Sequence, residues 1–396
     1  MRPFLTARIR QRGVTLLELM IGMTIGLIAS VVIVQVFSQS EAHRRATAGG
    51  ADAQQAGMIA SWRMMRDIRM AGSGLQHGVT LWGCQMLVWR GGAQLLPRAG
   101  AWPAPFAAFP SALRLTPIAV VDGGGAASDA ILVSSARSGA GAAPLPASVV
   151  SSTQVSVPTS VAFRAQDLLL MTDMSAVGDC QLGQVDAAYV APAGVPAPRA
   201  VPVGAPSTGY NGPNGFSGLP STGDYSLFNL GSAPSVAMYG VVNNSLVQYD
   251  VLDPAGIGAS TVQAENVENL QVLLGVDDGV GGTANDNVVD RWVAPGIAPF
   301  TAAAMIAGGN AALQVKAIRI AMVVRSSEPT QRVGPAETVL FQDMPAALQV
   351  RVPIPAADRV YGRQVHDLVI PLRNQWIALC TEARRANGVP AVGTCS

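Results

Sequence analysis

The chain has 396 residues, of which 13% are charged, and its net charge is +1 at pH 7. Soluble domains average nearer a quarter charged, and a balance this close to zero gives no net charge to steer the protein toward nucleic acid or an acidic surface. The length allows one large domain or a domain with insertions, and 42 glycines with 27 prolines point to extensive loops.

The first thirteen residues, Met1–Gly13, contain Arg2, Arg8, Arg10 and Arg12 and no acid, an asymmetry that holds them on the cytoplasmic side of a membrane. Leu16 to Phe37 is almost continuously apolar. As a helix, Val14–Ser38 is about 37 Å long, enough to span a bilayer. A secretory signal has its small-residue cleavage site after the apolar core. Here Gly13 precedes the core, so a cut there removes the basic leader and leaves the apolar helix as the new N-terminus. Glu18 lies just inside the span. A carboxylate at the bilayer centre costs ~2.5–3.5 kcal/mol on insertion scales, and even near the end of the span it calls for a partner. Gly22 and Gly26 form a GxxxG pair, read either as a close-approach motif or as chance glycines in an apolar helix.

No proline occurs between Val14 and Pro97, so the helix is expected to continue past the membrane. Ser38–Ala56 is polar, with His43 in an exposed segment and a weak point at Gly49-Gly50. Met58, Ile59, Trp62, Met65 and Ile68 then recur at helical spacing, with Arg63, Arg66 and Asp67 largely opposite. This amphipathic half is read as packing on a globular head, its methionines as core rather than as cofactor ligands. The helix is expected to stop near Met70–Gly74.

Strand patterns alternate with loops from about Leu75. Val236–Val242 and Ser245–Leu252 flank Asn243-Asn244 as a β-hairpin. Val315–Arg325 is apolar on both alternating faces and reads as a central strand, covered by the long helix on one side and by loops on the other. Ala130–Ser134, Asp167–Thr172, Val267–Val276, Leu348–Ile354 and Gln364–Leu372 are further strands, and Gly91–Pro110, Gly139–Ala147 and Ala191–Gly223 read as long surface loops.

Cys84, Cys180, Cys380 and Cys395 form an even set, and a domain carried across the inner membrane meets an oxidising compartment. Three connectivities are open. The expected one pairs Cys380 with Cys395 across a short loop, a cross-link worth roughly 3 kcal/mol by chain entropy, and Cys84 with Cys180, tying the helix end to the sheet. His43, His77 and His366 have no metal-ligand spacing with the cysteines, and His77 and His366 read as surface or satisfied core residues. No catalytic motif is found, so neither enzyme activity nor a cofactor is expected. Asp277, Asp278, Asp286 and Asp290 lie in a turn dense in oxygen ligands. Its spacing fails the EF-hand pattern, so a solvated polar turn is the plainer reading and calcium the sharper one.

The basic leader, Gly13, Thr15, Leu16-Leu17 and Glu18-Leu19-Met20 before an apolar helix resemble the class III signal of type IV prepilins and type II secretion pseudopilins. The resemblance implies that a prepilin peptidase cleaves between Gly13 and Val14 and methylates the Val14 amino group. It also makes Glu18, the fifth mature residue, an assembly residue facing a neighbouring subunit's amino terminus. Arg66–Gly72, Gly83-Cys84, Ser128–Val133, Asp167–Leu170, Asp179-Cys180, Val267–Val272, Val289–Trp292, Val315–Ser326 and Pro371–Asn374 are similar to the PilW-like minor pilins.

That family implies an α+β, type IV pilin-like fold with a long N-terminal helix on a mainly antiparallel β-sheet head. The expected division is a cleaved leader (1–13), a transmembrane and assembly helix (14–38), its amphipathic continuation (39–72), the head (73–374) and a C-terminal extension (375–396). The implied function is that of a minor pilin helping to start type IV pilus assembly near the fibre tip. It would be held by the inner membrane with its head in the periplasm and then move to the pilus. The implied partners are the prepilin peptidase, other minor pilins, the major pilin, the inner-membrane assembly platform and the lipid bilayer. A J-like pseudopilin of type II secretion and a tip adhesin are the alternatives.

Overall fold

The computed structural model describes residues 13, 15–75, 81–137, 144–161, 163–173, 178–191, 199–219, 225–253, 260–330 and 333–375. The leader up to Arg12, Val14, His77, Cys380 and Cys395 lie outside them.

A single helix, α1 (Leu16–Arg69), runs unbroken from the apolar segment into the head. It ends at Met70, whose N–H bonds back to Asp67 and Ile68, and Arg66 and Arg69 in the last turn suit the negative end of the helix dipole. Gly72 then takes the left-handed conformation (φ +73°) that a side chain disfavours. The expected weak point at Gly49-Gly50 is not a break. Gly49 is buried, and a Cβ there would lie 3.3 Å from Ser326 Cβ, so the missing side chain lets the helix approach the sheet. Gly57 serves the same purpose more strictly, since a Cβ on it would overlap the His366 imidazole.

The strands are β1 (Gln85–Arg90), β2 (Ala93–Leu96), β3 (Ile118–Val121), β4 (Ala130–Ser135), β5 (Leu145–Ser151), β6 (Gln154–Val157), β7 (Leu168–Asp173), β8 (Asp179–Gln184), β9 (Arg199–Pro202) and β10 (Tyr225–Gly231). They continue as β11 (Ser235–Val242), β12 (Ser245–Asp250), β13 (Thr261–Glu265), β14 (Val267–Val276), β15 (Arg291–Val293), β16 (Val315–Pro329), β17 (Glu337–Leu340), β18 (Val350–Pro353) and β19 (Tyr361–Pro371). Three larger sheets have the orders β2-β1-β8-β7-β10-β5-β6-β9, β13-β12-β11-β4-β3 and β15-β14-β16-β19, and β17-β18 form a small fourth. Among the described residues the pairings are antiparallel except β1 with β8. The architecture is α+β and pilin-like.

Packing explains the arrangement. Ala60, Met64 and Ile68 of α1 are fully buried in one core with Ile318, Ile320, Met322 and Val324 of β16. The opposite face of β16 presents Ala321 and Val323 to Leu340, Phe341 and Val352. Thus a two-stranded sheet covers that face, not loops alone. The hairpin of β11 and β12 turns through Asn243 and Asn244, both at positive φ (49° and 56°), the pattern of a two-residue type I′ turn. Two segments read as surface loops are partly interior. Trp102, Phe106 and Phe109 are buried in the main core, while Val201, Val203 and Phe216 belong to a separate core with Val155, Leu169 and Leu227.

Two polar contacts join the layers. The Tyr239 hydroxyl on β11 donates a short hydrogen bond to Asp67 near the end of α1. Asp129 accepts from the backbone N–H groups of Gly123 (3.0 Å) and Val272 (2.8 Å), joining the second sheet to β14. Burial pushes the Asp129 carboxyl up to about 7, against the pull of those two donors.

Candidate functional site: the exposed end of the long helix

Among the described residues, the N-terminal half of α1 packs on no other element up to the level of the cleft beneath Pro329. Its large apolar side chains from Leu16 to Phe37 are between 49% (Ile21) and 78% (Leu16) exposed. A contiguous apolar surface of this length requires lipid or another protein. The hydroxyls on it are satisfied internally: Thr24 donates to Ile21 O (2.9 Å), Ser30 to Gly26 O (2.8 Å) and Ser38 to Gln35 O (2.8 Å). Glu18 is the acid on this surface, in the first turn.

Glu18 is held by Thr15. The Thr15 hydroxyl accepts from Glu18 N–H (3.3 Å), and Glu18 Oε2 accepts from Thr15 N–H and Oγ1 (3.0 Å each), a reciprocal capping box. The Thr-x-x-Glu spacing carries this signal, and the reading of Glu18 as an assembly residue passed over Thr15. The carboxylate therefore has partners within its own helix start.

Gly13, Gly22 and Gly26 face open space: among the described residues, apart from their chain neighbours and the helix's own backbone, no atom lies within 4 Å of where a Cβ would stand.

The cysteine framework is seen in part. Cys84 and Cys180 are disulfide-bonded with Cα atoms 5.6 Å apart, joining the residue before β1 to β8, its parallel neighbour. The bond closes a separation of 96 residues, and chain entropy assigns roughly 4.7 kcal/mol to loops of that size.

The acid-rich turn divides. Carboxylate oxygens of Asp277, Asp286 and Asp290 lie within 4.8 Å of one another. Asp278 instead pairs with Arg291 at 2.6 Å, which holds its carboxyl below the usual range. Asp277 accepts from the backbone of Asn285 (2.5 Å) and Asn287 (2.7 Å), and Asp290 from Gly279 (2.6 Å). Beside them Lys316, the chain's sole lysine, is 1% exposed, and among the described residues its Nζ has no hydrogen-bond partner. Burial pushes its ammonium down to about 8, while Asp277 and Asp286 pull the other way. The turn thus holds three convergent carboxylates with backbone donors and a buried lysine beside them.

Of the described histidines, His43 is exposed on α1. His366 on β19 packs against Gly57, and among the described residues its buried Nε2 has no hydrogen-bond partner, so it is neither a free surface residue nor a satisfied core one. Burial lowers its pKa.

Residues 237–374 match the family described as Type IV Pilus-assembly protein W, and residues 8–34 match the Prokaryotic N-terminal methylation motif. The first match runs from β11 to just beyond β19, and the second spans Gly13, Glu18 and the first turns of α1. No curated protein and no solved structure matches the chain.

Proposed function

We propose that this chain, a type IV pilus-related minor pilin that matches the PilW family and carries a prepilin-type signal, is an assembly subunit that helps initiate the fibre and stands near its tip. The observation that carries the reading is a helix half exposed along its whole length, bearing a carboxylate at its start. The family is one of structural pilins, and the chain's chemistry is that of packing.

The mechanism has two stages. The apolar half of α1 suits membrane anchoring, and before assembly it lies in the inner membrane with the head in the periplasm. Cleavage after Gly13 by a prepilin peptidase frees the Val14 amino group, whose methylation keeps its positive charge. Helices then leave the lipid and pack side by side on the assembly platform, against other minor pilins and the major pilin. Because lipid is as apolar as a neighbouring helix, packing and charge pairing supply the net drive. In this step Glu18 exchanges its capping contacts with Thr15 for the amino group of a neighbour. That exchange of a neutral donor for a cation in a low-dielectric fibre core favours the assembled state.

Deletion of the gene, with surface pili and protein secretion scored separately, tests the assignment. Loss of pili with secretion intact is expected. Loss of secretion with normal piliation would instead assign the chain to a secretion pseudopilin.

A further inference from the structure

Just below the head, one face of α1 and the tip of β16 enclose an open cleft of about 540 Å³. Ile33, Val34 and Phe37 form its lower wall, Glu41 and Arg45 its upper wall, and Pro329 overhangs it. The helical positions recur at intervals of three and four and so share one face. The apolar ones are 65%, 66% and 72% exposed. Glu41 and Arg45 form only a loose pair at 3.9 Å, with 44% and 64% of their side chains exposed. A surface pair of this kind contributes little, so both charges remain open to other partners.

The heights of these residues fit one occupant. The apolar run ends at Phe37, which places the hydrocarbon boundary there. Glu41 stands about 6 Å above it at 1.5 Å per residue, and the headgroup layer on each side of a bilayer is roughly that thick. Arg45 is one turn higher, but helical side chains lean toward the N-terminus, and its guanidinium comes down to Glu41. The cleft thus has an apolar lower part in the acyl region and one charge of each sign in the headgroup layer.

We propose that in the membrane-anchored subunit, before it enters the fibre, this cleft binds a zwitterionic phospholipid bearing a primary ammonium. Its phosphate meets Arg45, its ammonium meets Glu41, and the upper acyl chains lie along Ile33, Val34 and Phe37. An anionic headgroup without an ammonium would face the Glu41 carboxylate unpaired. A quaternary ammonium cannot donate a hydrogen bond to it. Such a lipid fixes the height of the head over the bilayer and must be shed when the helix is withdrawn. The inference rests on the reading given above that α1 anchors the subunit in the membrane before assembly.

The test is native mass spectrometry of the full-length processed protein released from detergent micelles, titrated with phosphatidylethanolamine, phosphatidylcholine and phosphatidylglycerol of identical chains. Retention of phosphatidylethanolamine is expected to exceed that of the other two. Arg45→Gln is expected to weaken it, because the phosphate loses its charge-assisted hydrogen bond. Glu41→Gln is expected to abolish the preference over phosphatidylglycerol. Arg44→Gln, adjacent in sequence but off the cleft face, is expected to leave retention unchanged. Equal retention of the three lipids, equal loss with Arg44→Gln, or occupation of the cleft by a second copy of the chain would overturn the proposal. Carbonate extraction of the same proteins separates this from the underlying reading, since anchoring by α1 is expected in every variant.

Discussion

Thr15 and Glu18 cap the start of α1 reciprocally, the hydroxyl accepting from the Glu18 N–H and the carboxylate accepting from the Thr15 N–H and hydroxyl. Each satisfies a polar group that the helix start would otherwise leave open, and together they lower the penalty of carrying a carboxylate in an apolar span. Caps of this type contribute about 0.5–2 kcal/mol. Thr15→Val is therefore expected to reduce membrane insertion in the presence of Glu18 and to have little effect beside Glu18→Val. Carbonate-resistant fractions of the single and double variants measure the coupling. Additive effects would show that the two side chains act separately.

Gly13→Val should stop cleavage while leaving the fold intact, because among the described residues nothing beyond its chain neighbours lies within 4 Å of an added Cβ. Mass spectrometry of the N-terminus decides it. A mature chain beginning at Val14 in this variant would contradict the role given to Gly13.

The helix–sheet contact at Gly57 and His366 leaves no room for a Cβ. Gly57→Ala is expected to destabilise the protein by roughly 1–3 kcal/mol, the usual cost of overpacking, despite the better helix propensity of alanine. His366→Ala should recover most of the loss in the double variant. Denaturant titration of the full chain in micelles reads both, and a neutral or stabilising Gly57→Ala would refute the close approach.

Asp129 gives a pH dependence of definite sign. Its folded pKa is raised to about 7 by burial, above the unfolded value of about 3.9. The folded state therefore holds a proton that the unfolded state releases, so its contribution is full below about pH 4 and is lost as pH rises through about 7. Relative to Asp129→Asn, the wild type should lose stability steadily across that window. His366 acts in the opposite sense, since burial lowers its pKa and its contribution is lost as pH falls; subtracting the Asp129→Asn profile removes it. A difference that is flat between pH 4 and 7 would rule out the buried carboxylic acid.

Much of the helix and of the matched C-terminal region is legible in the sequence. Period and punctuation carry it: the apolar run, the absence of proline, the Asn243-Asn244 turn, and the doubly apolar β16. Glycine lowers helix propensity locally, so the sequence marks Gly49 as a weak point, whereas its effect here depends on what packs against it at Ser326. Phe216 and Trp102 were assigned to loops because glycine and proline dominate their neighbourhoods, yet single aromatics in such segments suffice to bury them. For the candidate site, Gly13 and Glu18 followed from the leader and span, while Thr15 needed the Thr-x-x-Glu spacing to be read as a cap. The partnering of Asp278 with Arg291 rather than with the other acids was not legible, because it depends on the register of β14 and β15.

The central claim is that the charge of Glu18, beyond its part in the helix cap with Thr15, is needed for assembly and not for anchoring or for folding of the head. The most direct measurement compares wild type, Glu18→Gln and Glu18→Val by immunoblot of membrane and sheared-fibre fractions, with piliation scored in parallel. Insertion should be preserved or improved once the charge is gone, and the Cys84–Cys180 disulfide should form normally. Entry into fibres should fall sharply for both variants, including the isosteric Glu18→Gln, because a neighbour's amino terminus then lacks a counter-charge. Glu18→Val that enters fibres and supports piliation as wild type does would contradict the account.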